Sequence, residues 1–247
     1  MNIDYRSEVG KIREKNEDSV IVKQIGDFTV VAVADGMGGQ QNGEVASSVA
    51  VNALVNELQD ILTRETLSTD EQYKSMLTSV FQRVNKAVVC ESLKTGLDDL
   101  SMGTTLTCAI INARKLYLAH IGDSRAYLIH GSAMTRLTND HTYAQKLADE
   151  GKIPQQEVLS HEDSHKLVRW LGENSYINPD VYSYNIIYGD LLLLCTDGMY
   201  RAVDDSRILQ CVKKHNDLKG CLDNLFEAAY EGGSDDNVTS LLVHIRP

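Results

Sequence analysis

The 247-residue chain has three prolines and a single tryptophan, Trp170. So few prolines leave no room for a proline-rich linker or stalk. Its five cysteines, Cys90, Cys108, Cys195, Cys211 and Cys221, form no Cys-x-x-Cys pair and have no histidine at zinc-ligand spacing. That excludes a zinc ribbon or finger, and the odd number fits reduced, mostly buried thiols better than a disulfide framework. No apolar run approaches a membrane span, and the first residues carry no apolar secretion segment, so a cytoplasmic protein is expected. Positive charge is also short: 24 Lys+Arg against 35 Asp+Glu give a formal net charge of -11. Such a balance opposes nucleic acid and anionic membrane as partners and is compatible with a bound cation. There is no GxSxG elbow or CxxxxxR loop to supply a serine or cysteine nucleophile, and no repeat of fixed period.

With 43% hydrophobic and 24% charged residues, the composition is that of an ordinary globular protein, and its length suits one domain over 1–247. β-branched runs at 19–25 and 28–34 flank Gly26-Asp27 and predict a hairpin. Helical spacing of apolar residues starts at Gly43 and recurs over about 70–93, and these two helices are expected to pack together. From Gly103 to His130 three short strands read as a β-meander. The polar stretch 138–172 reads as an excursion with one short helix at 143–150. Strands at 181–188 and 191–197, helices at about 206–213 and 218–230, and a last strand from Asn237 complete the pass. Strands interrupted by helix pairs predict an α+β fold of packed antiparallel sheets.

The acidic residues of interest lie at strand ends beside glycine or just before a strand: Asp35-Gly36, Gly122-Asp123, Asp197-Gly198 and Asp236. A strand end is a rigid mount, and a carboxylate at the end of an apolar run is costly to desolvate unless a cation meets it. Oxygen ligands of this kind favour magnesium or manganese over zinc. Taken singly, each Asp-Gly is more often a turn.

The order Arg13-x-x-x-Glu17-Asp18, Asp35-Gly-Met-Gly-Gly39, Gly103-Thr-Thr105, Gly122-Asp-Ser-Arg125, Thr196-Asp-Gly198, Asp236-Asn237 resembles the metal-dependent protein phosphatases of type 2C in their compact bacterial form. The resemblance spans nearly the whole chain. It implies a sandwich of two antiparallel β-sheets flanked on each side by helix pairs, with 138–172 as a flap beside the active site. It also implies hydrolysis of phosphoserine and phosphothreonine on proteins by water activated between two Mn2+ or Mg2+ ions. Asp35 would bridge the ions, the Gly36 backbone carbonyl would complete one of them, and Asp197 and Asp236 would each hold one. Glu17 and Asp18 would act largely through metal-bound water, Arg13 would clamp the phosphate, and Asp123 with Asp197 would hold a third ion. On position alone Arg13 reads as an ion-pair partner of Glu14 or Glu17, and Asp123 reads equally as a partner of Arg125.

Two departures from the family pattern stand out. Met37 replaces a histidine that donates a proton to the leaving alkoxide in the best-known eukaryotic members, and HEDSHKLVRWLG keeps only part of the flap motif, with Glu162 and Val168 in place of proline and threonine. No histidine is assigned a catalytic role, and Trp170 is expected to serve packing. The implied partners are phosphorylated proteins and an opposing serine/threonine kinase, with the chain itself a monomer. The rival readings are a pseudophosphatase that binds phosphoproteins without turnover and a metal hydrolase of small phosphate esters.

Overall fold

A computed structural model describes residues 1–38, 42–94, 102–173, 176–215 and 217–246. Numbered along the chain, one antiparallel sheet orders β1 (Asn2–Glu8), β11 (Val238–His244), β10 (Leu191–Cys195), β7 (Arg125–His130) and β8 (Ala133–Arg136). The other orders β2 (Asp18–Ile25), β3 (Phe28–Gly38), β5 (Leu106–Asn112), β6 (Lys115–Ile121) and β9 (Asp180–Asn185), with β4 (Met102–Thr104) pairing the end of β3. Helices α1 (Asn42–Arg64) and α2 (Asp70–Lys94) pack on the outer face of the second sheet. The short α3 (Tyr143–Asp149) forms within 138–172, and helices α4 (Asp197–Tyr200), α5 (Asp205–Lys214) and α6 (Leu218–Glu231) pack on the outer face of the first sheet. Among the described residues no helix is long and apolar enough to cross a membrane.

The strand periodicity of two builds these layers. Along β3, Val30, Ala32 and Ala34 face α1 and α2, while Val31 and Val33 face the gap between the sheets. Along β10, Leu192 and Leu194 face the gap and Leu193 and Cys195 the other helices. A strand buried on both faces must read as a continuous apolar run, which is why LLLLC carries no alternation. Each fully buried Leu, Ile or Val contributes roughly 1.5–3 kcal/mol, so the layers carry most of the stability.

The β2–β3 hairpin forms as expected, with Ile25 opposite Phe28 and Gly26 in a left-handed conformation at φ 55°. Helices α5 and α6 start at Asp204 and Asp217, whose carboxylates accept from Arg207 N and Gly220 N. The expected meander does not hold. β5 pairs with β6, but β7 belongs to the other sheet, between β10 and β8. The crossing is made at Gly122, whose φ of 103° suits glycine alone. β9 and β10 are likewise in different sheets. β1 and β8 escape sequence reading because one is mostly polar and half exposed, and the other only four residues long. β3 runs on to Gly38 instead of stopping at Ala34 because β4 supplies it with a partner.

Between β7 and the flap, Arg125 makes a two-pronged ion pair with Asp140, Nε at 3.0 Å and Nη2 at 2.6 Å from its oxygens, both residues being buried. Arg125 therefore pairs with Asp140, not with Asp123. Removing one partner leaves an uncompensated buried charge, so Asp140→Ala is expected to cost about 3–5 kcal/mol in urea unfolding. The apolar pair Arg125→Met with Asp140→Leu should recover most of that loss; a double variant no better than the single would refute this account.

Candidate metal centre

The hairpin turn at Gly26-Asp27 sets a register that places Asp18 directly opposite Asp35. By alternation Asp35 follows Val31 and Val33 onto the face turned toward the other sheet. From that sheet come Thr196 and Asp197 at the end of β10 and Asp236 just before β11. The acidic residues thus meet at one end of the gap between the sheets. Thr196 Oγ1 ties the two sides by donating to Asp18 Oδ2 at 2.8 Å.

The mounts are rigid. Asp35 N donates to Thr105 Oγ1, and the Asp35 carbonyl accepts from Thr105 N and Thr104 Oγ1, all at 2.9 Å. Gly36 N donates to the Glu17 carbonyl at 3.1 Å. A Cβ at Gly36 would lie 2.0 Å from the Gly43 carbonyl oxygen, so only glycine lets α1 approach the strand here. Asn237 accepts from Glu17 N and donates to the carbonyls of Val9 and Lys15, binding the N-terminal loop to the Asp236 segment.

Electrostatically the cluster is compensated only in part, Arg13 reaching Asp236 and Arg201 reaching Asp197. Burial is the main cause that pushes Asp18 up to about 7, with Asp197 and Asp236 adding to it against hydrogen bonds from Thr239 and Thr196. Asp123 is pushed up to about 8 by burial and by Asp197 and Asp140. Asp35 is held well above the ordinary carboxylate range by burial and by the fields of Asp18, Asp197, Asp123 and Asp236. Asp197 is raised by burial, opposed by Arg201. Two of the carboxylate oxygens, Asp18 Oδ1 and Asp197 Oδ1, are buried without a hydrogen-bond partner. Orphaned anionic oxygens in a like-charged cluster call for a cation. Among the described residues no three His, Cys, Asp or Glu side chains close on a single ion position. The donors present are carboxylate and backbone oxygens, which suit hard cations such as magnesium or manganese.

A cleft opens on this cluster, lined by Arg13, Glu17, Asp35, Gly36, Met37, Asp123, Asp197 and Asp236, with His165 and Leu167 from the flap. Arg13 is half-exposed at the rim and donates to Asp236 Oδ2 at 2.8 Å, so neither Glu14 nor Glu17 is its partner. Glu17 is raised, chiefly by burial. The sequence-derived residues Arg13, Glu17, Asp18, Asp35, Gly36, Asp123, Asp197 and Asp236 are all brought together, while Gly39 lies outside the described residues. Sequence reading missed Arg201, which donates to Asp197 Oδ2 at 2.9 Å, and gave no role to Thr105, Thr196 or Asn237 although its motifs contain them. The one local signal for Arg201 is its four-residue spacing from Asp197 across α4.

Comparison with known proteins identifies the family. The family model for protein phosphatase 2C matches residues 13–229. Serine/threonine phosphatase stp of Listeria innocua is 34% identical over 244 residues, covering 98% of this chain and 95% of that protein. Serine/threonine protein phosphatase PstP of Mycobacterium tuberculosis is 34% identical over 97% of this chain and 44% of its own length. The crystal structure of the latter superposes with a TM-score of 0.88 at 32% identity, covering 100% of this chain and 99% of that one. A second structure, of the PstP catalytic domain in complex with two manganese ions, does so at 0.84 and 32%, covering 100% and 98%. Kinship of this extent, in sequence and in fold, means that the chain belongs to the protein phosphatase 2C family.

Proposed function

We propose that this chain hydrolyses phosphoserine and phosphothreonine on proteins at a two-metal centre held by Asp35, Asp197 and Asp236, with the Gly36 carbonyl as a further ligand. The observation that carries the reading is the pair of buried, partnerless oxygens on Asp18 and Asp197 within a cluster of mutually repelling carboxylates. Family membership makes the chain a metal-dependent serine/threonine phosphatase acting on phosphorylated proteins. When bound, manganese or magnesium acidifies a water for direct attack and neutralises charge on the phosphoryl oxygens.

The chain's own residues do the rest. Thr104 and Thr105 fix the Asp35 backbone so that its carboxylate is presented without reorganisation. Thr196 orients Asp18, and Asp18 and Glu17 position water on the hairpin side of the cleft. Arg13 spans the rim beside Asp236, where its planar guanidinium can donate two parallel hydrogen bonds to a phosphate. With Met37 in the cleft, no protein acid stands at that position to protonate the leaving alkoxide, so the proton comes from water or from another group of the cleft. The whole of 1–247 serves as one catalytic domain with 138–172 as its flap, working as a cytoplasmic monomer against an opposing serine/threonine kinase.

Phosphate release from a phosphothreonine peptide with manganese tests this directly. Activity is expected to vanish with EDTA and in Asp35→Asn and Asp197→Asn; retained turnover in either control would sink the reading. Arg13→Ala is expected to lower kcat/KM by about 10–100-fold, the worth of a charged hydrogen-bonding contact of roughly 1.5–3 kcal/mol, and Arg13→Lys to recover only part of it.

Proton linkage gives an independent check. Asp18 and Asp123 titrate near about 7 and about 8 in the folded protein, far above about 3.9 in an unfolded chain. The stability contributed by their protons is full below the ordinary carboxylate range and is lost as pH rises through about 7 to 8. Metal-free protein should therefore melt at a lower temperature at about pH 9 than at about pH 6, and manganese should raise Tm more at the higher pH. A metal-free melting profile that rises over that range would contradict it.

A further inference from the structure

We propose that Arg201 is a resident cation of this centre. Its guanidinium occupies the place between Asp123 and Asp197, so the chain binds two divalent ions and no third, and it fastens the flap to the site through Ser164. This rests on the two-metal assignment of Asp35, Asp197 and Asp236.

Arg201 follows α4, four residues after Asp197, and its Nε donates to Asp197 Oδ2 at 2.9 Å. Its Nη2 lies 3.8 Å from Asp123 Oδ2, a carboxylate delivered from the β6–β7 crossing. The same Nη2 donates to the Ser164 carbonyl at 2.6 Å, and Nη1 to Ser164 Oγ at 3.2 Å. Every arm of the planar fork is engaged, in a geometry that suits a guanidinium better than an ammonium.

The side chain is three-quarters buried, with 25% exposure against 7% for Asp123 and 17% for Asp197. In so enclosed a position its charge is poorly screened, and it cannot move out without leaving both carboxylates unmatched. Asp197 is divided by this contact: Oδ2 is taken by Arg201, and Oδ1 is left without a protein partner for a metal. A divalent ion placed between Asp123 and Asp197 would have to strip Oδ2 from the Nε proton. It would also sit beside a like charge in a poorly screened position, which opposes its binding. Two divalent ions carry less positive charge than Asp18, Asp35, Asp123, Asp197 and Asp236 carry negative, and Arg201 makes up the difference on the Asp123 side.

The contact with Ser164 gives the same residue a second effect. Ser164 belongs to a turn of the flap in which its N–H donates to the His161 carbonyl, and its neighbour His165 lines the cleft. Arg201 thereby ties the position of a cleft-lining segment to Asp123 and Asp197. Arg201 is a positioning residue, acting through those carboxylates and through Ser164.

Metal counting decides the point. Purified protein is dialysed to equilibrium against manganese alone and bound metal is measured by mass spectrometry. Wild type is expected to hold two ions, Arg201→Ala a third, and Arg201→Ala with Asp123→Asn two again. Arg201→Lys, which keeps the charge, should stay at two. Amide hydrogen exchange over 138–172 should quicken about tenfold or more in Arg201→Ala, in line with loss of charged hydrogen bonds. A third ion in wild type, or only two in folded Arg201→Ala, would overturn the proposal. Should Arg201→Ala not fold, Asp123→Asn alone decides: it should keep both ions, and loss of one would refute the idea. Wild type that binds no manganese would overturn the two-metal assignment itself, an outcome distinct from finding a third ion.

Discussion

Asp18 and Asp35 face each other directly across the β2–β3 hairpin, and like charges so placed are destabilising in any antiparallel pair. Nothing on their own hairpin relieves the repulsion. Asp197 and Asp236 approach from the other sheet and intensify it, as the raised titration of Asp35 reflects. A structure that holds several carboxylates against their own field is arranged around a missing positive charge, and cation binding becomes part of its stability.

What holds the carboxylates in place is the sandwich. Two of the strands that reach the site are buried on both faces: β3 between α1–α2 and the gap, β10 between the gap and α4–α6. Packed layers of this kind do not deform continuously, so the ends of β3 and β10 are fixed relative to each other without a direct covalent or loop connection. The threonines at Thr104, Thr105 and Thr196 then convert strand-end positions into defined carboxylate positions. Preorganisation by hydrogen bonds to backbone and side chain is what a hydrolytic centre needs, because reorganising charges during the reaction is costly.

The arginines divide the remaining charge between them. Arg125 is neutralised by Asp140 deep in the fold and serves structure. Arg13 stands half-exposed at the rim, near where a phosphate would enter. Arg201 stands on the inner side and links Asp123 and Asp197 to the flap. Their different burial, more than their identical chemistry, assigns these roles.

Much of this was legible in the residues alone. The Gly26-Asp27 turn, the apolar runs before Asp35 and Asp197, the helical spacing of α1 and α2, and the order of motifs from Arg13 to Asn237 carry the hairpin, the buried strands and the carboxylates, because turn chemistry and side-chain periodicity are local properties. Which sheet a strand joins is not local. The run from Gly103 to His130 reads as three successive strands, yet Gly122 sends β7 across to the other sheet, and only burial of both faces decides that. Partner choice among charges is equally non-local: Arg125 sits two residues from Asp123 but finds Asp140, and Arg201 finds Asp123 across the fold. The sequence by itself determined the family and the candidate carboxylates; the tertiary structure alone decided which cationic side chain each carboxylate meets, because the fold sets charge separations that residue spacing does not encode.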